Sequence, residues 1–247
     1  MNKEKIVVIL SGGLDSTTLV YYLNNKDYEV SCLSFDYGQK HNIEIEKAKI
    51  TCKKLNLNHK IVNLKFMKDL LGNSSALTSD EVGIPTLEEV IGEAQPITYV
   101  PNRNTIMLSI ATSYAEAIGA NKVCFGAQAH DEYSGYWDTT LNFVNKINEV
   151  NNLNRENKIK IIAPFVELSK SEEVVLGALL NIPYEDTITC YNGNNCGTCP
   201  TCKDRIKAFA VAGFIDPLYN LDWEKLYNKN FKLLNIHFIE EKVLRNL

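Results

Sequence analysis

The sequence predicts an α/β protein in which a parallel β-sheet is covered by helices on both faces. Short, nearly all-apolar runs alternate along the chain with longer stretches whose apolar residues recur at helical spacing. Strands that are apolar on both sides are typical of a parallel sheet, because its crossover helices bury both faces. Strands are predicted at residues 5–10, 29–35, 60–64, 122–127 and 159–164, and helices at residues 16–25, 43–55, 104–118 and 171–180.

The helices are predicted from apolar periodicity and from one capping signal. In the first helix Leu19 and Leu23 lie one turn apart, and in the second the apolar residues at 45, 48, 52 and 55 share one face. The last of the four opens with Ser169-Lys170-Ser171-Glu172, which has the spacing of a capping box. The first strand runs directly into a glycine turn before the first helix, which is a strand–loop–helix unit.

Three stretches depart from the strand–helix alternation. Residues 65–101 are rich in Gly, Ser, Asp and Glu and carry Pro85 and Pro96 within the stretch, and a connection of that length is usually a lid or a binding loop. Residues 145–157 are rich in asparagine, so we predict a solvated loop there. The tail holds Phe231, Leu234, Phe238 and Ile239 in a roughly helical pattern. We therefore divide the chain into a main domain, residues 1–217, and a C-terminal helical extension, residues 218–247.

Composition and charge indicate a globular protein that acts on a small molecule. Apolar residues are 45% and charged residues 23% of the 247 residues. No apolar stretch reaches the roughly 18 residues of a membrane span, and the N-terminus lacks a small-residue cleavage site, so we expect no membrane contact and a cytoplasmic protein. The net charge is −4 without any block of Lys and Arg, which argues against a nucleic-acid partner.

The stretch VVILSGGLDSTTLV, residues 7–20, places a glycine turn between the first strand and the first helix. Successive backbone N–H groups in such a turn, with the positive end of the helix, form a cradle for an anion. Hydroxyl groups add further donors, and glycine is expected because a Cβ would keep a phosphate from the backbone. The candidate nucleotide-binding residues are Leu10, Ser11, Gly12, Gly13, Leu14, Asp15, Ser16, Thr17, Thr18, Leu19 and Val20.

The motif in this turn differs from two common phosphate-binding loops. A kinase-type P-loop needs GxxxxGK[ST], and a dinucleotide loop needs GxGxxG; the turn fits neither. SGGxDS followed by two threonines instead resembles the PP-loop of the ATP pyrophosphatases, which have a Rossmann-like, adenine nucleotide alpha-hydrolase-like fold. The resemblance implies that ATP is held by its pyrophosphate portion while a substrate oxygen attacks the α-phosphorus. AMP is then transferred and pyrophosphate leaves.

Four of the seven cysteines lie in one short segment, CYNGNNCGTCPTC. Cys190, Cys196, Cys199 and Cys202 are spaced by 6, 3 and 3 residues. Four thiolates at about 2.3 Å suit tetrahedral Zn²⁺ in a closed structural site, so we predict one structural zinc. An iron–sulfur cluster and redox-active or free thiols stay open as alternatives. The three isolated cysteines are expected to be small buried residues, and the odd count argues against a disulfide framework.

The order of the motifs along the chain resembles one family. SGGLDSTT is followed by FDYGQKH at 35–41, VPNRN at 100–104, YSGYWDTT at 133–140 and TCYNGNNCGTCPTCKDR at 189–205. Over about residues 4–217 this combination is similar to the 7-cyano-7-deazaguanine synthases, the QueC/ExsB family. The resemblance implies an ATP-dependent, carbon–nitrogen bond-forming ligase. It would use ammonia to turn the carboxylate of 7-carboxy-7-deazaguanine into an amide and then a nitrile, through adenylated intermediates, on the route to queuosine.

The resemblance also implies roles for single residues. Asp15 would orient the loop or contact the Mg²⁺ that accompanies ATP, Arg103 would clamp a phosphate or carboxylate, and Lys170 would neutralise charge developing at phosphorus. For Arg103 and Lys170 the alternative is an ordinary exposed side chain near a helix start. The candidate substrate-binding residues are Tyr37, Gln39, His41, Asp131, Ser134, Gly135, Tyr136 and Asp138. Among them His41 is either a base or, as we favour, a loop hydrogen bonder.

The YSGYWDTT segment departs from the family pattern D/N-x-SGYPDCR. Trp137 replaces the proline, and Thr139 and Thr140 replace cysteine and arginine, which removes a cation from the expected substrate loop. Adenylation of a deazaguanine is expected to persist, whereas nitrile, amide and conjugate stay open as products. Two alternatives are a QueC-like enzyme of an anti-phage or other non-queuosine system and a nucleotide-binding sensor with little turnover. A tRNA thiolase is a weaker option, and a homodimer is expected.

Overall fold

The computed structural model describes residues 3–128, 136–219 and 235–247, with a five-stranded sheet at its centre. All neighbouring strands are parallel, and their order is β3-β2-β1-β4-β5. The strands are β1 (Lys5–Ile9), β2 (Glu29–Asp36), β3 (Asn58–Asn63), β4 (Lys122–Cys124) and β5 (Lys160–Ile162). The predicted parallel α/β fold is therefore confirmed.

Helices cover both faces of the sheet. The described residues form α1 (Leu14–Asn25), α2 (Ile43–Leu55), α3 (Phe66–Leu71), α4 (Arg103–Ile118), α5 (Leu141–Asn151), α6 (Lys170–Leu179), α7 (Pro200–Ala212) and α8 (Ile236–Arg245). Short 3₁₀ turns lie at Gly72–Ser74, Trp137–Thr139 and Tyr184–Asp186. Among these described helices, none combines the length and the apolar character needed to cross a bilayer.

The core has two halves because side chains alternate along each strand. In β1, Val7 packs on one side with α4 and α5, while Ile6 and Val8 pack on the other side with α1, α2, α6 and α8. The register places Val8 beside Cys32 of β2 and Cys124 of β4. Both thiols are fully buried among apolar side chains and Cys52 of α2 is buried in the same cluster, which confirms the burial predicted for the three isolated cysteines.

The prediction of a solvated loop over residues 145–157 is wrong in its first half, because α5 continues to Asn151. Phe143 anchors the helix in the core. Two asparagines of α5 bond the backbone at the edge strand β5. Asn148 donates to the carbonyl of Ile161 (2.7 Å) and accepts from the N–H of the same residue (2.8 Å), and Asn151 donates to the carbonyl of Ile159 (3.2 Å). The polar side chains thus satisfy backbone groups at the sheet edge, where an unpaired N–H or C=O would be costly.

The long segment at residues 65–101 contains α3 and then runs irregularly toward α4. It is held by its own backbone, with the N–H of Ala76 donating to the carbonyl of Ile97 at 2.8 Å. It is also tied to the loop after β2, because Lys40 donates its backbone N–H to Leu77 (3.1 Å) and its Nζ to the carbonyl of Val82 (2.5 Å). These bonds set the segment against the carboxyl end of the sheet.

A C-terminal helix was predicted and is present as α8, whereas α7 was not predicted. In α8, Ile239 and Val243 are buried in the same apolar cluster as α1 and α6, whereas Phe231 and Leu234 of the predicted helical pattern lie outside the described residues. The missed helix, α7, begins at Pro200 immediately after Cys199. Proline is favoured at a first helical position because its missing N–H has no partner to lose there.

Candidate active site

A cavity of about 310 Å³ opens at the carboxyl ends of β1, β2 and β4. Its floor is formed by strand ends, among them Leu10, Phe35 and Phe125, and its walls come from α1, α2, α4 and α6 and from the segment around the cysteines. In open parallel sheets this is the position at which ligands bind, next to the point where the strand order reverses. Here the order reverses at β1, which carries the glycine turn.

The glycine turn is shaped by its contact with α2. Gly12 has a φ of 88°, and a Cβ at this residue would overlap the carbonyl oxygen of Glu44 and lie 2.8 Å from the N–H nitrogen of Ala48. A side chain is therefore excluded both by the left-handed backbone and by the close approach of the first turn of α2. This is a different reason for glycine from the expected approach of a phosphate.

The turn presents two hydroxyls to the cavity. Ser11 Oγ and Ser16 Oγ lie 2.9 Å apart, Ser16 Oγ accepts the N–H of Ser11 (3.1 Å), and Ser11 Oγ accepts the N–H of Gly13 (3.3 Å). Of the eleven predicted nucleotide-binding residues, those that line the cavity are Leu10, Ser11, Gly13, Asp15 and Ser16. The remaining six do not line the cavity; they are Gly12, Leu14, Thr17, Thr18, Leu19 and Val20. Thr18, for example, bonds the carbonyl of its own helix and the hydroxyl of Tyr184.

Asp15 and Lys170 meet at one side of the turn. Lys170 Nζ lies 2.5 Å from Asp15 Oδ1 and 3.9 Å from Asp204 Oδ2, and all three residues line the cavity. Burial acts to lower the pKa of Lys170, but Asp15, Glu173 and Asp204 outweigh it and raise the pKa. Lys170 is therefore a fixed cation held at the start of α6.

Glu173, which the sequence analysis did not single out, is fully buried behind this pair. Its Oε1 accepts a hydrogen bond from the amide of Gln128, while its Oε2 has no partner among the described residues. Burial, reinforced by the neighbouring charge of Asp15, raises the pKa of Glu173 well above its ordinary value. One signal for Glu173 was present in the sequence: it follows Lys170 by three residues in the capped helix α6.

Arg103 and Glu44 face the cavity from the opposite side. Arg103, the first residue of α4, donates from Nη1 to the hydroxyl of Tyr37 (3.3 Å) and lies over the ring of that tyrosine. Burial raises the pKa of Glu44 to about 7, with Arg103 acting in the opposite direction and Cys190 adding to the rise. Glu44 was not predicted as a site residue, although it follows His41, the last residue of the FDYGQKH segment, by three residues.

The predicted Q-x-H residues line the cavity, and both make hydrogen bonds to the backbone. Gln39 accepts the N–H of Tyr37 (2.9 Å) and donates to the carbonyl of Phe35 (3.3 Å), so it closes the loop after β2. His41 Nε2 lies 3.1 Å from the carbonyl of Tyr191, and its ring packs against Gly193. His41 therefore joins the loop after β2 to the segment that carries the cysteines.

The structure describes only part of the predicted substrate loop: Asp131, Ser134 and Gly135 lie outside the described residues. Tyr136 bonds Thr98 through its hydroxyl (2.6 Å) and stacks on Tyr99. Asp138 is buried, which raises the pKa of its carboxyl group against the opposing effect of Arg103. Neither residue lines the cavity; Thr139, between Asp138 and the start of α5, does.

Trp137 and Thr140, two departures from the family pattern, have local roles. The indole Nε1 of Trp137 donates to the hydroxyl of Tyr99 (3.1 Å), and its ring packs edge-on against Phe143. Trp137 thereby joins the 3₁₀ turn to the long segment before α4 and stays outside the cavity. Thr140 is the N-cap of α5, with its Oγ1 accepting the N–H of Phe143 (3.2 Å).

The four clustered cysteines bring their sulfur atoms within 4.8 Å of one another. Sγ of Cys202 lies 3.3 Å from that of Cys199 and 3.9 Å from that of Cys196. Backbone N–H groups point at sulfur, from Cys196 to Cys190 and from Cys199 to Cys196, each at 3.4 Å, and the hydroxyl of Tyr219 donates to Cys202 Sγ at 2.9 Å. Four converging sulfurs that accept hydrogen bonds could hold a thiophilic metal ion.

The chain is an α/β protein of the open, parallel-sheet class. Its glycine turn lies over a cavity at the carboxyl ends of the strands. The chain belongs to one family within that class, since a family model described as "Queuosine biosynthesis protein QueC" matches residues 5–213. The chain is 42% identical over 234 residues to the 7-cyano-7-deazaguanine synthase of Thermoplasma volcanium, covering 92% of this chain and 95% of that protein. It is 45% identical to the synthase of the same name from Oceanobacillus iheyensis, covering 88% and 99%.

A solved structure with a similar chain path is that of NMN synthetase from Francisella tularensis. It is 17% identical, has a TM-score of 0.49, and the overlap covers 98% of this chain and 85% of that chain.

Proposed function

We propose that this protein is an enzyme that converts 7-carboxy-7-deazaguanine, with ATP and ammonia, into 7-cyano-7-deazaguanine. Two relatives named for this activity are 42% and 45% identical to this chain, and the alignments cover 95% and 99% of those relatives. The observation that carries the proposal is the single cavity onto which the glycine turn, Lys170, Arg103 and Glu44 all face. An anion cradle and two fixed cations suit the transfer of AMP from ATP to a carboxylate, in which negative charge develops at phosphorus.

The first half of the proposed reaction makes the substrate carboxylate reactive. A carboxylate is a poor electrophile, so one of its oxygens attacks the α-phosphorus of ATP and pyrophosphate leaves from the same phosphorus. Ser11 and Ser16, with the N–H groups of their turn, would hold the departing pyrophosphate. Lys170 would offset the negative charge that develops there, and Asp15 would keep that lysine in place.

The second half forms the carbon–nitrogen bonds and classes the enzyme as a ligase. Ammonia attacks the acyl carbon, the bond from carbon to the AMP oxygen breaks, and the nitrogen releases a proton to give the amide. The amide oxygen then attacks the α-phosphorus of a second ATP, which releases pyrophosphate and one N–H proton. Loss of the last N–H proton and of AMP leaves the nitrile.

The substrate would lie between the glycine turn and the start of α4. Arg103 would bind the substrate carboxylate, and its bond to Tyr37 fixes the direction of the guanidinium. Gln39 and His41 form part of this wall, while Tyr136 bonds Thr98 and Asp138 accepts a bond from Asn104 in the neighbouring turn. The net charge of −4 favours a small molecule over a nucleic acid as the substrate.

The cofactors in this proposal are ATP with Mg²⁺ and one structural zinc. Cys190, Cys196, Cys199 and Cys202 would hold the zinc, because four sulfurs suit its preferred tetrahedral site and three of them are buried. Zinc there would fix the segment that bears Thr189, Tyr191 and Thr201, which form part of the cavity wall. For Mg²⁺, Asp15 is the cavity carboxylate nearest the turn.

Product analysis tests the proposal. Purified protein is incubated with ATP, ammonium and 7-carboxy-7-deazaguanine, and the heterocycle is identified by mass spectrometry with each component omitted in turn. We expect the nitrile, with the amide as a transient species. An amide or a conjugate as the end product would overturn the proposed product, and no turnover of ATP would overturn the proposed enzyme.

A further inference from the structure

Helix α8 lies outside the stretch matched by the family model, which ends at residue 213. It nevertheless packs in the same apolar cluster as α1 and α6, both of which begin at the cavity. Ile239 and Val243 of α8 are buried with Leu19 and Leu23 of α1 and with Leu176 of α6. The first residues of α1 belong to the glycine turn, and the first residue of α6 is Lys170.

The polar contact of α8 falls on the first turn of α6. Lys242 Nζ lies 2.7 Å from Glu172 Oε1 and 3.0 Å from Glu172 Oε2, and both side chains are largely buried. Glu172 is also the capping-box residue of α6: it accepts the N–H of Ser169 (2.8 Å), and its own N–H donates to Ser169 Oγ (3.3 Å). One carboxylate therefore joins α8 to the start of α6.

Lys170 lies in the chain between the two capping-box residues, Ser169 and Glu172. Its Nζ reaches across to Asp15 at 2.5 Å, so the direction of the lysine depends on where the first turn of α6 is held. The first turn of a helix is its least constrained part, because the first four N–H groups have no partners within the helix. A contact that fixes Glu172 fixes the backbone from which Lys170 projects.

We propose that Lys242 of α8 is a positioning residue for the ATP site, acting through Glu172 to hold the first turn of α6 and with it Lys170. This rests on the proposed function, in which Lys170 contacts the phosphates of ATP. The C-terminal helix is then a functional part of the nucleotide site, although it contributes no side chain to the cavity wall.

The test compares the variant Lys242→Met with the wild-type chain. We expect the KM for ATP, and the Kd for a non-hydrolysable ATP analogue measured by calorimetry, to rise about threefold to tenfold. The KM for 7-carboxy-7-deazaguanine should stay unchanged. Lys242→Arg, which keeps the cation, should restore the wild-type values. In case Lys242→Met folds poorly with Glu172 left unpaired, the double variant Glu172→Gln with Lys242→Met removes both charges and should show the same rise.

Glu240→Gln is the matched control on the same helix. It removes the ion pair of Glu240 with Lys26 at the far end of α1 (4.0 Å) and should leave the KM for ATP unchanged. The inference would be overturned if a folded Lys242→Met or double variant kept the wild-type KM for ATP and showed only a lower melting temperature. A wild-type chain that neither binds the analogue nor consumes ATP would instead overturn the proposed function.

Discussion

Asp15 and Lys170 stand 155 positions apart in the sequence and form an ion pair of 2.5 Å at the mouth of the glycine turn. Asp15 lies in the first turn of α1, and Lys170 is the first residue of α6. Both helices begin at the carboxyl end of the sheet, so the fold brings the positive ends of two helices and one fixed cation to a single point. The two helix ends favour an anionic ligand, and Lys170 also offsets the carboxylates of Asp15 and Asp204 at the same point.

Removal of the cation tests this relationship. We expect Lys170→Met to lower the turnover of ATP about a hundredfold or more, because charge developing at phosphorus loses its partner, with little change in thermal stability. Pyrophosphate release measures the effect. Lys54→Met is the control, since Lys54 makes a pair of the same length with Asp186 at the surface. Turnover at the wild-type rate in Lys170→Met would remove the lysine from the mechanism.

Replacement within the turn separates nucleotide use from stability. Ser16→Ala removes the hydroxyl that bonds Ser11, and Asp15→Ala removes the partner of Lys170. We expect each variant to lose most ATP consumption while its urea unfolding midpoint changes little, because both side chains lie at the cavity wall and outside the core. A variant that keeps its ATP consumption would show that the nucleotide binds elsewhere.

The cysteine cluster predicts the metal content of the protein. Elemental analysis of the purified chain should find about one zinc per chain, and Cys199→Ser should lower both zinc content and solubility, because metal binding supplies folding free energy at such sites. Cys124→Ala, a buried cysteine of the sheet, should keep its zinc. Iron with a visible absorption band would identify a cluster instead.

Thr140, at the position where the family pattern has arginine, is expected to stabilise the fold as the N-cap of α5. Thr140→Ala should lower the free energy of unfolding by about 1 kcal/mol, because the N-cap bond to the N–H of Phe143 is lost. Thr140→Ser, which keeps the hydroxyl, should stay close to wild type in the same urea titration. If the alanine variant were as stable as the serine variant, the cap would contribute nothing.

The sequence predicted the parts of this protein whose signals are local. The glycine turn, the capping box at Ser169 and the four-cysteine spacing each lie within a few residues, and the alternation of strands and helices follows from apolar periodicity. What could not be predicted depends on residues far apart. The polar stretch of α5 looks solvated until its asparagines are seen against β5, and Glu173 gains its environment only from Gln128 and Asp15, which lie on other elements.

The same limit applies to Trp137 and Glu44. Trp137 is a departure from the family pattern in the expected substrate loop, yet it bonds Tyr99, 38 positions away, and does not line the cavity. Glu44 lies on the polar side of a helical pattern that marks its neighbours as core, and its carboxyl group gains its environment from Arg103 and Cys190, which lie on other parts of the chain.

Glu44 predicts a pH dependence of stability. Burial raises its pKa from 4.5 to about 7, so the folded protein binds this proton more tightly than the unfolded chain does. Stability from this group is therefore present below about pH 4.5 and is lost as the pH rises through about 7. Glu44→Gln, which removes the ionisation, should gain melting temperature relative to wild type at about pH 8 and gain least at about pH 5. An equal difference at both values would contradict the raised pKa.

Oxygen labelling tests the central claim, attack of substrate oxygen on the α-phosphorus, most directly. The substrate is 7-carboxy-7-deazaguanine with ¹⁸O in both carboxylate oxygens, and the nucleotide products are read by mass spectrometry. We expect each AMP formed to carry one labelled oxygen, both labels to leave the heterocycle when the nitrile forms, and pyrophosphate to be unlabelled. Label found in inorganic phosphate, with ADP as the nucleotide product, would show attack at the γ-phosphorus and contradict the account.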